Sequence, residues 1–353
     1  MNKQYVTTQV IEPLKKIIKK KISSSTKLLF FAKVFNHWGD TNFINERNIV
    51  YNNANVFEWH SYGEKNPDKN ILLIEMDNMG VGMGVLYQIV LLGMNLAKEF
   101  GFVPVVEFEQ NRTRCQEEPG FMGTDNPYEY FFKQPGGISL MDAKASKHVF
   151  IAHQWHIDAL CRELGYTKLY YFGEKYLKTL GGEVKNLELT DYVSQNMKSD
   201  KGKILPEDMS KVLAVQIRGT DFNYGWKDHP IAVLPDEFFS EIDSAIENYG
   251  FTNIFLATDD SGYLETFKQR YQDKLLFYEA YRDTGDTNIA MKKARRTHNN
   301  FLNAYEVLRD IYTLASCGGF VAGLSNVPAS ARIVRYGMKK PFLYEKILDK
   351  GRY

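Results

Sequence analysis

Residues 211–221 read Lys-Val-Leu-Ala-Val-Gln-Ile-Arg-Gly-Thr-Asp, KVLAVQIRGTD. The apolar run with Val and Ile predicts a buried strand over 211–217, because strands covered on both faces are continuous rather than alternating. It stops abruptly at Arg218, Gly219, Thr220 and Asp221. In an open parallel sheet, ligands bind outside the carboxyl ends of the strands. A cation and an anion at that tip therefore serve either a ligand or each other.

Working downstream, a strand and helix rhythm continues. Pro235 opens a helix through DEFFSEIDSAIENYG, closed by Gly250. NIFLATD (253–259) reads as strand, GYLETFKQRY as helix and KLLFYE as strand. NFLNAYEVLRDIYTLASC reads as a long helix, GGFVAGL (318–324) as strand, and SNVPASARIVRYG as a helix capped by Ser325 or Asn326. Upstream, ILLIEM (71–76), the glycine-rich DNMGVGMG, the apolar helix VLYQIVLLGMNLAKEF stopped by Gly101, and FVPVVEF (102–108) form a βαβ unit. Residues 110–205 are less regular, with helix signals near 153–164 and 174–200. The fold class is α/β, with two parallel-sheet domains meeting near residue 205. The expected organisation is an N-terminal extension 1–69, a first α/β domain 70–205, a second 206–340 and a C-terminal tail 341–353.

Composition narrows the function. A chain of 353 residues exceeds one ordinary core, which agrees with two domains. The net charge of +1 gives no global attraction to nucleic acid. Cys115, Cys161 and Cys317 form no C-x-x-C pair, so neither a zinc knuckle nor a disulfide framework is indicated. Free thiols fit a reducing, cytoplasmic setting. No apolar run is long enough to span a bilayer, and the N-terminus lacks a secretory signal's apolar region. Residues 12–22 place Leu14, Ile17, Ile18 and Ile22 on one helical face with five lysines around them. That pattern suits peripheral contact with the anionic inner face of a membrane, and equally a solvated helix.

Polar groups recur at the strand ends of the second half. Arg218 and Asp221 follow the first strand, Asp259 and Asp260 the second, and Ser325 and Asn326 precede the last helix. Asp310 lies in the helix before them. A nucleoside diphosphate suits this set: an arginine forks onto phosphate, a helix start presents N–H groups to a phosphate oxygen, and a carboxylate matches the two N–H donors on one edge of guanine. Each residue also has a plain alternative. Ser325 serves as an N-cap, Arg218 and Asp221 as a structural clasp, and Asp260 as a turn acid. In the first half, Gly80, Gly82 and Gly84 with Glu107 outline a dinucleotide fingerprint, but Val85 stands where G-x-G-x-x-G needs its third glycine. A tight loop for close approach of a sugar, or a bland turn, fits as well. His153 and His156 with Asp158 make an incomplete metal set. No D-x-D pair offers metal ligands, so no metal is expected. The basic run MKKARRTHNN (291–300) is a solvated surface or the rim of an anion site.

VQIRGTD, IFLATDD and LRDIYTLASCGGFVAGLSN resemble, in order and spacing, the three motifs of the GDP-fucose-dependent fucosyltransferase superfamily, which contains α-1,6-, α-1,2- and protein O-fucosyltransferases. The resemblance covers about 211–337, with a fainter match at 71–109 through GVGMGVLYQIV, and does not reach 1–69. It implies a GT-B fold of two Rossmann-like domains and an inverting, metal-independent transfer from a GDP-sugar, GDP-fucose foremost, to a glycan hydroxyl, with no cofactor. By the same resemblance Arg218 binds the diphosphate, Asp310 reads guanine, Asp259 and Asp260 lie near the nucleoside, and Ser325 and Asn326 hold phosphate. Gln216 departs from the usual histidine, Gly219 from the second arginine, and Phe222 from a lysine found in some members. These departures keep open a change of sugar and a non-catalytic nucleotide-sugar or glycan-binding protein. Arg218 and Asp221 are the expected catalytic pair. Candidate bases are Asp77, Glu107, Glu109 and His153. The competing class is an NAD-type oxidoreductase using the 80–84 loop.

Overall fold

The computed structural model describes residues 17–18 and 58–353, except 111, 155–156, 158–166, 169–170, 221–224, 226, 228 and 284–295. Asp221, Phe222, His156, Asp158, Cys161 and nearly all of the basic segment 12–22 lie outside these residues, as does most of the helix expected over 153–164.

The first sheet contains β1 (Glu58–His60), β2 (Lys65–Met76), β3 (Val103–Phe108) and β4 (Ser146–His153) in the order β1-β4-β2-β3. β2 pairs in parallel with β3 and β4, whereas β1 is an antiparallel edge strand. The sheet thus begins before residue 70. Helix α1 (Met83–Phe100) crosses from β2 to β3 and ends at Gly101, as the sequence predicts. It is apolar on nearly every face because it is covered on nearly every face. Strand β4 falls inside the stretch expected to be irregular, and His153 closes this strand rather than opening a helix. The helix expected over 174–200 is two helices, α2 (Glu174–Gly181) and α3 (Asp191–Ile204). Gly181 sits so close to the chain near Tyr336 that an added Cβ would come within 2.6 Å of the Tyr336 Cβ. The Thr190 hydroxyl accepts the Val193 amide and starts α3 afresh.

The second sheet is wholly parallel. It contains β5 (Val212–Ile217), β6 (Asn253–Thr258), β7 (Leu275–Leu276), β8 (Gly319–Gly323) and β9 (Tyr344–Leu348), ordered β9-β8-β5-β6-β7. Val212–Ile217 of the quoted stretch forms the central strand, buried at every residue. Helices α4 (Pro235–Tyr249) and α5 (Ser261–Tyr271) cover one face, with Phe238, Ile242 and Phe267 packed on Leu213, Val215 and Ile217. The long α6 (Asn299–Ser316) and α7 (Asn326–Gly337) lie on the other side. The expected tail 341–353 therefore supplies an edge strand, and KLLFYE forms only two residues of strand.

The order places β5 beside β8 at the point where the chain reverses its direction of winding. That is the switch point at which open α/β sheets make their crevice. The two sheets also share packing. Leu308 and Ile311 of α6 and Ile333 and Val334 of α7 belong to the same core as Leu72, Leu86 and Leu91 of the first domain. The cleft above the switch point is thus walled by both halves.

Candidate active site

The loop leaving β5 is held from the side by the end of β6. The Asp259 carboxylate accepts the Gly219 amide at 2.8 Å and the Thr220 hydroxyl at 2.9 Å, and pairs with the Arg218 guanidinium at 2.9 Å. Thr220 has φ 48°, a left-handed conformation that a β-branched residue rarely adopts. Such strain persists only where neighbours over-determine it, and the Asp259 contacts do so. Gly219 packs against Asp260 so tightly that an added Cβ would lie 2.5 Å from the Asp260 Cβ. Position 219 therefore has no room for a side chain unless Asp260 shifts. Asp260 is 7% exposed, accepts the Tyr263 amide at 3.0 Å and caps α5. That bond is the turn-acid role, and Asp260 stands outside the cleft lining.

At the opposite side of the switch point, Ser325 occupies the N-cap position of α7 without making a side-chain cap bond. Its hydroxyl instead lies 3.4 Å from the Gln216 Oε1. Ser325 thus takes the N-cap position that the sequence predicts, with its hydroxyl turned to Gln216 rather than to the helix amides. The first N–H groups of α7 keep their capacity for an anion, supported by the helix dipole.

These elements enclose a cleft of about 430 Å³, within the range of small-molecule sites. Its lining includes Gln216, Arg218, Asp259, Asp310, Ser325 and Asn326 from the second domain and Gly80, Gly82 and Gly84 from the first. Gly84 approaches the α7 start closely: an added Cβ would lie 3.4 Å from the Asn326 carbonyl carbon. Residues separated by up to 246 positions are thereby brought onto one surface.

Asp310 lies in the cleft with its carboxyl pushed up to about 7. Burial is the largest cause; the Arg309 and Arg282 guanidiniums draw it down and Glu306 raises it. Both arginines are anchored. Arg309 donates to Asp200 at 2.7 Å and stacks 4.0 Å from the Tyr278 ring centroid. Arg282 donates to the Thr258 and Tyr278 carbonyls at 3.1 and 2.8 Å. A carboxyl so poised gains from any ligand that brings N–H donors to it.

The sequence reading missed several lining residues. Arg114, Cys115, His229 and Tyr281 carry no motif. Asn303, Glu306 and Asp310 recur at helical spacing on one face of α6, and that polar stripe was readable. Glu306 is forked by Arg296 at 2.6 and 2.9 Å, so this part of the basic run braces the rim.

The candidate bases fall elsewhere. Glu107 pairs with Lys144 at 2.6 Å, its carboxyl raised by burial against that lysine. Glu109 pairs with Arg112 at 3.0 Å, and Asp77 lies 3.9 Å from the same guanidinium. His153 Nδ1 lies 3.0 Å from Glu75. None of the four lines the cleft. His153 groups instead with Glu75 and Glu109, their ligand-type atoms within 4.8 Å of one another.

No family model matches the chain, and no curated protein matches it. Among solved structures, the chain is similar to the fucosyltransferase NodZ from Bradyrhizobium at 14% identity and a TM-score of 0.44, covering 76% of this chain and 93% of that one. NodZ alpha-1,6-fucosyltransferase co-crystallized with GDP gives 12% and 0.42, over 76% and 92%. POFUT1 in complex with GDP-fucose gives 9% and 0.45, over 80% and 99%. At this identity and overlap these similarities assign neither a family nor a chemistry to this chain. The architecture itself, two parallel-rich sheets meeting at a cleft, is set by the strand order above. Among the described residues no helix is long and apolar enough to cross a membrane.

Proposed function

We propose that the chain is a glycosyltransferase that moves a sugar, fucose foremost, from a GDP-sugar to a glycan hydroxyl. The carrying observation is the convergence of Arg218, the α7 start and Asp310 on one cleft faced by the 80–84 loop. The donor's diphosphate lies between the Arg218 guanidinium and the N–H groups of α7, and guanine presents its N–H edge to Asp310. Breaking the sugar–phosphate bond builds negative charge on the leaving diphosphate. Preorganised donors at that place lower the barrier, and these two groups supply them without a metal. The acceptor hydroxyl approaches from the first-domain wall, where a glycine loop lets sugar meet backbone, and attack opposite the leaving group inverts the anomeric centre. The hydroxyl proton passes to the departing diphosphate or to water. Asp259 keeps Arg218 aimed by clasping its loop. Asp221 is proposed to act beside Arg218.

The oxidoreductase reading needs Glu107 at a ribose. Glu107 is engaged by Lys144 and stands outside the cleft lining, which favours the transferase. The discriminating assay incubates the protein with GDP-fucose, alone and with mixed glycan acceptors, and measures released GDP. Acceptor-stimulated release supports transfer. Tight GDP binding with no release over hours supports the non-catalytic binder, and a failure to bind GDP removes the donor reading.

A further inference from the structure

One buried amide joins the two walls of the cleft. Gln88, in the second turn of α1, is 2% exposed. Its Nε2 lies 3.1 Å from the Gly84 carbonyl, 3.1 Å from the Asn326 carbonyl, 3.0 Å from the Ser330 hydroxyl and 3.4 Å from the Asn326 Oδ1. Its Oε1 accepts the Tyr176 hydroxyl at 2.8 Å. The Ser330 hydroxyl also donates to the Gly84 carbonyl at 3.0 Å. A single first-domain side chain therefore grips the last glycine of the 80–84 loop and the first residue of α7 together.

A satisfied buried network commonly does no more than specify packing. Two features point further. Both gripped residues, Gly84 and Asn326, line the cleft. The amide also has two N–H donors for four acceptors in range, so Asn326 Oδ1, the most distant, is the most loosely held.

We infer that Gln88 is a positioning residue for the reaction, an inference that rests on the GDP-sugar reading of the cleft. It fixes the α7 start against the glycine loop, so the helix N–H groups meet the leaving diphosphate at a set distance from the acceptor wall. The Asn326 side chain can turn toward a bound ligand while Gln88 keeps its other three acceptors.

The test replaces the donor amide. In Gln88→Glu the ionised carboxylate still accepts from Tyr176 and Ser330 but offers no N–H to Asn326. GDP affinity is expected to fall about tenfold relative to wild type near pH 8, a change of ~1.4 kcal/mol. The deficit should shrink toward about pH 6, where a buried glutamic acid regains its proton and one donor. Tyr176→Phe, which frees one side of the amide, should give a smaller loss of affinity and of kcat in the same direction. A packing role alone predicts a lowered Tm with GDP affinity and kcat unchanged in both variants, and that result would overturn the inference. If Gln88→Glu does not fold, Tyr176→Phe decides by the same readouts. If the wild-type chain binds no GDP, the donor reading itself falls, and this inference with it.

Discussion

The carboxyl ends of the two sheets carry similar residue types and use them differently. At the end of the first sheet, Glu75, Glu107, Glu109 and His153 are matched locally by one another, by Lys144 and by Arg112. At the end of the second, Arg218, Ser325 and Asn326 face a shared cleft, with Asp310 added from a helix. The first domain meets that cleft with the 80–84 glycine loop and, among the described residues, a single charged side chain, Arg114. Strand-end topology thus nominates both edges, and what separates them is the space they face: the second opens onto the cleft although Arg218 is paired with Asp259. The lesson is that polar groups at a sheet edge gain meaning from the cavity beside them as well as from their partners.

This contrast can be broken most severely at Arg218. Arg218→Ala should lower transfer by about 10²- to 10³-fold, the usual effect of losing one preorganised oxyanion donor, and should weaken GDP binding. Near-normal turnover would make the Arg218–Asp259 pair a structural clasp only. Next in size is the loop itself. Gly219→Ala drives a methyl into Asp260 and should disturb the Asp259 clasp, costing activity more than stability. Unchanged kinetics would show that the loop tolerates a side chain there.

Asp310 sharpens the contrast through pH. Its folded pKa is raised above that of an unfolded chain, so the native state holds the extra proton between about 4 and 7. Its contribution to stability is therefore lost as pH rises through that window, and Asp310→Asn should flatten this dependence in thermal melts. GDP binding needs the ionised carboxylate to accept guanine N–H groups. Affinity should accordingly climb with pH toward about 7 in the wild type and stay flat and lower, by about tenfold or more, in the variant, from the loss of charge-assisted hydrogen bonds. The smallest effects belong to the first edge. Glu109→Gln and His153→Ala should change kcat by less than about threefold, since exposed or part-exposed pairs contribute little. A loss of a hundredfold in either would move the catalytic base to that edge.

Much of the fold was legible because buried parallel strands announce themselves. Val212–Ile217 and Ile71–Met76 are apolar runs broken only by Gln216 and Glu75 near their carboxyl ends, and Gly101, Pro235 and Gly250 punctuate the helices. Tyr344–Leu348 was not legible because an edge strand is only half covered, and its Tyr-Glu-Lys-Ile-Leu sequence follows no period-two alternation that would mark a face. Ser146–His153 was hidden by its polar His148 and His153 within an irregular region. The topological rule located Arg218, Ser325 and Asn326. It could not separate Asp259 from Asp260, because the clasp on Gly219 and the cap on Tyr263 depend on backbone geometry 40 residues away and 3 residues away respectively. Arg114 and His229 gave no local signal at all.

The most direct test of the account is calorimetric titration of GDP, UDP and NADH into the wild-type protein and into Arg218→Ala and Asp310→Ala. The account predicts that GDP binds best and that both substitutions weaken it, through the diphosphate in one case and the base in the other. Binding of NADH alone, indifferent to both substitutions, would contradict it.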